Sequence, residues 1–424
     1  MDLPRGMRDI DPVESSALEY VRQKFIETSN LFGFQFMEPS PIELVSVIET
    51  KSGPTIKNEI YYFKDKGDRE VALRFDFTIG LTRYAVSKKS MRLPAKLSAF
   101  GGVWRYDEPQ KGRYRFFHQW DVEIYSEPNI ESDAEIIDFT SKFFSNLKLQ
   151  NIVIDICDRG LIESYIKNIF KTDSFDVISD VLRAVDKTQK KRKEEIVKEY
   201  ETKGYSASDL DEVLKFSQIK GSPQDIEKKI DTQQLKNWDK ILLLFDSLKN
   251  RNVENVRVNF GIVRGLDYYS GIVFEAFDNN SDLGALVGGG RYDTLTNAFG
   301  RSDIGATGVA GGVERIVHSL GKQNIKIQSN NDRVWIVYVN DDMKKIAINI
   351  AATLRLQGIA TEIDLLGKPL RKQMEVASNS KYVVIVGPKE YATNSVVIRN
   401  MKDGSEKQVK LESLLNDPNS SLQL

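Results

Sequence analysis

The sequence predicts a mixed α/β chain in which an antiparallel sheet flanked by helices is interrupted by a helical insertion and followed by a smaller α/β domain. Three observations carry this. Strand-like runs recur at mostly hairpin-like spacing and resume after the middle of the chain; residues 171–250 are dense in charge and nearly free of glycine; and a strand, helix, strand order begins after a polar stretch at 321–332. At 424 residues the chain is too long for one ordinary core. The expected boundaries are 1–170 with 250–325 for the sheet domain, 171–249 for the insertion and 330–424 for the last domain.

Each element has a local reason. Leu18, Val21, Phe25, Thr28 and Phe32 recur at three- and four-residue steps, which predicts an amphipathic helix that Asp11-Pro12 starts and Gly33 stops. Strand-like runs follow at 60–63, 71–75, 97–104, 116–125 and 152–157. In the insertion, DKTQKKRKEEIVKEY at 186–200 is the densest in charge; it is either a solvated helix face with ion pairs a turn apart or a module that touches RNA phosphates. The sheet resumes at 256–260 and 271–277. Past the polar stretch, 334–339 reads as a strand, Met343, Ile346, Ile350 and Leu354 as one helix face, and 359–365 as a second strand, an order that implies parallel pairing. A helix at 370–377, a strand at 382–386 and an added edge at 396–399 and 407–409 complete the domain.

Composition narrows the function classes. The chain is 41% hydrophobic and 29% charged with a formal net charge of -1, so any nucleic-acid surface must be local rather than a property of the whole. The single Cys157 excludes an intramolecular disulfide and reads as core filler, and two histidines, His118 and His318, leave almost no material for zinc. No apolar run approaches membrane-spanning length, and the charged, proline-bearing MDLPRGMRDIDP cannot serve as a signal h-region, so the cytoplasm is the expected location.

Four stretches carry candidate chemistry. In FGGVWRYDEPQKGRYRFFHQWDVEIY (100–125) two strands flank an ordered loop, and Phe117, Gln119, Asp121 and Glu123 alternate with Phe116, His118, Trp120, Val122 and Ile124. A solvated outer face gives the same alternation. Arg105, Arg113 and Arg115 point instead to phosphate beside a small polar ligand. RGLDYY (264–269) is either a turn whose tyrosines cap a core or part of a site. The glycines of VGGGRYD (287–293) permit either close backbone approach to a ligand or a tight bend. GVAGGVERIVHSL (308–320) reads as a small-residue strand entering a helix with Arg315 on its opening turns. No Walker lysine loop is present.

Taken in order, PRGMRD (4–9), LRFDFT (73–78), the 100–125 hairpin, RGLDYY, GGGRYD, the Arg315 helix and the last domain resemble the histidyl-tRNA synthetase family of class II aminoacyl-tRNA synthetases over essentially the whole chain. The resemblance implies a class II catalytic core, a helical insertion and a C-terminal anticodon-binding α/β domain. It implies that Arg105 holds the α-phosphate of ATP, that Arg113 and Arg315 reach the outer phosphates, and that Phe117 lies under the adenine. Asp76, where many family members carry glutamate, Thr78 and Gln119 match the ammonium-binding set. Glu123, Tyr269 and Tyr292 match the imidazole readers, and Arg264 stands between the substrate carboxylate and the α-phosphate. Arg264, Arg105 and Gln119 are then the catalytic set. Motif 1 departs from the pattern: Pro39 and Pro41 straddle the family proline, and Gln35-Phe36 replaces an expected acidic residue.

The activity so implied is a two-step ligation, histidine plus ATP to histidyl-adenylate and pyrophosphate, then transfer to the 3′ end of tRNA(His), with Mg²⁺ bridging the β- and γ-phosphates. A homodimer through motif 1 is implied as well, with Lys368, Arg371, Lys372 and Lys381 as candidates on the anticodon side. Two rivals share the scaffold. A histidine-binding regulatory subunit of ATP phosphoribosyltransferase is opposed by Arg264 and the last domain, and a module sensing uncharged tRNA within a kinase by the absence of kinase sequence.

Overall fold

In the computed structural model, which describes residues 2–108, 114–188, 191–263, 269–325, 327 and 333–422, the first helix begins where Asp11 and Pro12 place it. The Asp11 carboxylate accepts from the N–H groups of Val13 and Glu14, Pro12 takes the first helical position, and α1 runs Pro12–Leu31. Its buried stripe includes Leu18, Val21, Phe25 and Thr28, as the spacing expects.

Short strands β1 (Gln35–Phe36) and β2 (Ile42–Leu44) lead to α2 (Val45–Ser52), β3 (Tyr62–Lys64), β4 (Glu70–Leu73) and α3 (Thr78–Ser87). Here the structure corrects the single-sheet expectation. β2, β4 and β3 form a three-stranded sheet of their own, because Ala72 packs with Val45, Ile48, Ile60 and Ile79 into a separate apolar cluster with α2 and α3. Arg74 ties it to the catalytic side: its guanidinium, ion-paired with Glu38, donates to Gly102 O at 2.9 Å and to Pro39 O at 2.9 Å.

The main sheet has nine strands. With β5 (Ala95–Trp104), β6 (Phe116–Ser126), β7 (Ile152–Asp158), β8 (Lys220–Gly221), β9 (Val256–Asn259), β10 (Ile272–Asp278), β11 (Ala285–Arg291) and β12 (Gly305–Gly312), its order is β1-β5-β6-β12-β11-β10-β7-β9-β8. Neighbours are antiparallel except β1 with β5 and β7 with β9. β6 pairs with its hairpin partner β5 on one side and with β12, from beyond the insertion, on the other. The Gly288–Gly290 run is therefore the interior of a strand rather than a bend. Helix α4 (Ile130–Asn146) covers one face, where Trp120 meets Phe143 at 4.9 Å and Phe25 at 5.7 Å. Cys157 is buried in β7, and burial pushes its thiol up, away from reactivity.

Between β7 and β9 lie α5 (Arg159–Phe170), α6 (Phe175–Lys187), α7 (Lys193–Glu201), α8 (Ala207–Phe216), α9 (Pro223–Glu227) and α10 (Trp238–Asn250). Many of their charges pair locally: Lys187 and Lys191 share Glu199, Lys193 and Lys215 share Asp211, and Arg183 meets Asp180. That favours the solvated-face reading of 186–200, and solvent screens such exposed pairs so that they contribute little to stability.

Two compact units result, Met1–Lys326 and Ile327–Leu424. In the second, β13 (Val334–Tyr338), β14 (Thr361–Ile363) and β15 (Tyr382–Val386) are parallel, while β16 (Ser395–Asn400) and β17 (Glu406–Lys410) add antiparallel edges, in the order β14-β13-β15-β16-β17. The helix face read from the sequence is correct: Met343, Ile350 and Leu354 pack with Val334, Ile336 and Val384. Among the described residues no helix is long and apolar enough to cross a membrane.

Candidate active site

The site grows from the alternation along β6. Its Trp120 face packs against α1 and α4, so Gln119, Asp121 and Glu123 are turned the other way, and there they are 3%, 0% and 1% exposed. A solvated outer face is thereby excluded. Burying three such groups is costly unless each is hydrogen-bonded, paired or protonated, so their surroundings define the chemistry. Two adjoining cavities lie over this face, about 280 Å³ and about 100 Å³, and share Arg105, Gln119, Gly288 and Ala310 in their walls. Gly288 opens this junction, since a Cβ there would meet nothing within 4 Å.

Among the described residues, the larger cavity is lined by two arginines, two carboxylates and two aromatic rings. Arg105, at the end of β5, donates through Nε to Phe75 O at 3.1 Å and through Nη2 to Gln119 Oε1 at 3.3 Å, and its guanidinium lies 5.1 Å from the centre of the Phe117 ring. Arg315, on the first turn of α12 (Val313–Lys322), donates to Ala285 O at 2.6 Å. Both arginines line this one cavity. Glu314 lines it too, accepting from His118 N at 2.9 Å. Arg115 corrects an expectation. It is buried, stacks 4.0 Å over Tyr106, and donates to Asp107 O and Arg5 O at 3.1 Å each, so it braces the loop base against the PRGMRD segment instead of facing a phosphate. Arg113 and Arg264 lie outside the described residues.

The smaller cavity is lined by carboxylates and phenols. Asp76 and Thr78 enter at the start of α3, Gln119 and Glu123 from β6, and Tyr269 and Tyr292 from the opposite wall. Thr78 Oγ1 donates to Asp121 Oδ2 at 3.2 Å, and Gln119 Nε2 approaches the same oxygen at 3.4 Å. Burial, reinforced by Glu123, holds the Asp121 carboxyl well above the usual carboxylate range; burial also pushes Glu123 up to about 7 against hydrogen bonds from Tyr292 and Thr78. Burial raises Tyr292 as well, so it meets the cavity as a neutral phenol. Gly308 faces Glu123 in the β6–β12 register, and a Cβ on it would fall 1.5 Å from Glu123 Oε2. Arg291, beside Tyr292 in GGGRYD, is buried and bound to Asp133 at 2.9 Å and Asn129 O at 2.7 Å, a structural tie on the other face.

Two residues escaped the sequence reading, one lining this cavity and one buried behind it. Asp121 stood in the correct alternation, between Gln119 and Glu123, but without an assignment. Lys51 had no local signal at all: it lies on α2 and its Nζ meets Asp76 Oδ2 at 2.8 Å. Among the described residues no group of three or more His, Cys, Asp or Glu is arranged to hold a metal ion.

The raised Glu123 makes a pH prediction. A carboxyl raised by folding favours its protonated form, so its contribution to stability is present below about 4.5 and is lost as pH rises through about 7. A bound cationic or N–H donor ligand reverses this by favouring the anion. Thermal stabilisation by saturating histidine is therefore expected to be larger at pH 8 than at pH 6, by at most about 1.4 kcal/mol per pH unit, and Glu123→Gln should flatten that part of the trend. Equal thermal shifts at both pH values in the unmodified protein would contradict it.

Comparison with known proteins agrees with the layout. The family model described as histidyl-tRNA synthetase matches residues 6–316, and the one described as anticodon binding domain matches 333–417. The histidine–tRNA ligase of Pyrococcus furiosus is 33% identical over 423 residues, 97% of both chains, and that of Thermococcus kodakarensis is 32% identical over 431 residues, 98% of both. In fold, the chain superposes on the histidyl-tRNA synthetase of Nostoc sp. PCC 7120 with a TM-score of 0.83 at 21% identity, covering 99% of each chain. An ATP phosphoribosyltransferase regulatory subunit/histidyl-tRNA synthetase from Bacillus halodurans C gives 0.76 at 21% identity, covering 91% of this chain and 98% of that one.

Proposed function

The chain belongs to the histidyl-tRNA synthetase family of ATP-dependent ligases, and we propose that its paired cavities activate histidine with ATP and pass it to the 3′ end of tRNA(His). One observation carries this reading: a single guanidinium, Arg105, lines both a larger cavity where a second arginine and the Phe117 ring suit a nucleotide and a smaller one built of buried carboxylates and phenols. In the first step a histidine carboxylate oxygen attacks the α-phosphorus, the bond to the β-phosphate oxygen breaks, and pyrophosphate leaves. Charge gathers on the pentavalent phosphorus, and arginines fixed in advance stabilise it without reorganising. Arg105 serves the α-phosphate, Arg113 and Arg315 the outer phosphates, Phe117 the adenine, and Arg264 the approach of two anions. In the second step a ribose hydroxyl attacks the adenylate carbonyl carbon, losing its proton as AMP departs.

Asp76, Thr78 and Gln119 take the ammonium of histidine, while Glu123, Tyr269 and Tyr292 accept from and donate to the imidazole. A site that pairs polar atoms rejects amino acids lacking them far more strongly than an apolar slot does. Magnesium, which typically takes one or two carboxylates and the substrate's own phosphates, fits a cavity whose described carboxylates are Asp107 and Glu314; it would neutralise phosphate charge. Exposed Phe36 on edge strand β1, with Ile42 and Leu44 on β2, supports a homodimer through motif 1. The cytoplasm, where tRNA and ATP are found, is its place of action.

Histidine-dependent exchange of labelled pyrophosphate into ATP tests this reading, and its absence under conditions where the protein binds histidine would favour the regulatory-subunit alternative. The last domain serves the anticodon. In it Arg371, whose side chain is 91% exposed, presents a guanidinium plane of the kind on which unstacked RNA bases pack. Removing residues 330–424 is expected to leave exchange intact and weaken charging of tRNA about tenfold or more, that is by about 1.4 kcal/mol or more. Unchanged charging kinetics would contradict the assignment.

A further inference from the structure

In the smaller cavity the described side chains set one lysine against three carboxylates. Lys51 Nζ meets Asp76 Oδ2 at 2.8 Å, with the two side chains only 5% and 9% exposed, and the same ammonium acts electrostatically on Asp121 and Glu123. Asp76 is held from its other oxygen as well, Oδ1 accepting from Ile79 N at 3.2 Å. Its carboxylate is therefore oriented before any ligand arrives. A lysine brought this far out of water is costly, and a structural ion pair could have been placed on the surface. Both partners instead line the cavity that receives the substrate's ammonium.

We propose that Lys51 is a positioning residue for histidine: its ammonium holds the Asp76 carboxylate aimed into the smaller cavity and, with the buried Asp121 behind it, sets the charge that Asp76 and Glu123 present to the substrate. This rests on reading the cavity as the histidine site. Among the described residues, the other titratable groups facing the cluster are Arg105 from the end of β5 and the phenols Tyr125, Tyr269 and Tyr292. Three carboxylates with two fixed cations, Lys51 and Arg105, would carry one net negative charge if fully ionised, and the substrate ammonium offsets it. Burial already holds Asp121 and Glu123 above the ordinary range, so the empty site favours a proton that the ammonium replaces. Without Lys51 their affinity for protons climbs further, and at neutral pH the site presents carboxyl groups that must lose a proton to solvent before they can pair with an ammonium.

The test compares the unmodified protein with Lys51→Met and Lys51→Arg in histidine-dependent pyrophosphate exchange from pH 6.5 to 8.5. For Lys51→Met, KM for histidine should rise about tenfold or more at pH 7, with KM for ATP within about twofold. The rising limb of kcat/KM for histidine should move up by about one to three pH units, so that the defect shrinks toward pH 8.5. Lys51→Arg should recover part of the loss by restoring the charge. Substrate imidazole titrates identically in all three proteins, so the difference isolates the cavity. A pH-independent defect that raises both KM values together would reduce Lys51 to a structural pair, and an unchanged or lowered KM for histidine would show that it does not assist the substrate; either result overturns the proposal. Absence of exchange in the unmodified protein would instead remove the histidine-site reading, and the proposal with it.

Discussion

Replacing Arg105 with alanine is expected to lower histidine-dependent pyrophosphate exchange by roughly 10²–10³-fold, equivalent to about 2.7–4 kcal/mol of transition-state stabilisation. The loss should fall mainly on kcat, because charge on the pentavalent phosphorus exists only in the transition state while the other residues still hold ATP and histidine. The guanidinium is anchored by Phe75 O and Gln119 and lies over Phe117, so it is held with little freedom to lose. Arg105→Lys should recover only a small part, since a point charge cannot reproduce the planar fork that grips a carbonyl and an amide at once. Steady-state exchange at saturating ATP and histidine reads the effect. A kcat within threefold of the unmodified protein would remove Arg105 from the chemical step.

Gly308→Ala should close the smaller cavity and spare the larger one. Its new Cβ would fall 1.5 Å from Glu123 Oε2 and 2.7 Å from Val122 O, and the latter is backbone held in the β6–β12 ladder. Glu123 must therefore turn away, and a displacement of about 1 Å at a positioning group lowers rates roughly 10²-fold. The methyl group also overpacks the sheet, at about 1–3 kcal/mol of stability. Folding and function can be separated: the thermal shift produced by ATP should persist in the variant, while that produced by histidine disappears. Retention of both shifts, with normal exchange, would show that Glu123 does not read the imidazole.

Much of this site was legible along the chain because its parts are periodic. β6 carries Phe117, Gln119 and Glu123 at two-residue steps, and the structure turns all three toward the paired cavities as that spacing requires. Arg315 could be placed only by the family resemblance, since a small-residue strand entering a helix is equally compatible with a surface arginine. Arg115 shows where proximity in sequence misleads: it sits on the same loop as Arg113, yet its guanidinium is consumed by the carbonyls of Arg5 and Asp107. The glycine run at 288–290 could not be assigned from its neighbours, since a bend and a strand interior ask for glycine equally.

By itself, then, the sequence determined many of the helices and strands, the alternation along β6 and the resemblance to one family, because these depend on residues a few positions apart. Only the tertiary structure decided that the first strands form a separate sheet, that β12 returns from beyond the insertion to flank β6, and that Lys51 meets Asp76 inside the cavity. Those outcomes depend on which apolar faces bury each other and on how buried charges find partners, and neither is written in the spacing of neighbouring residues.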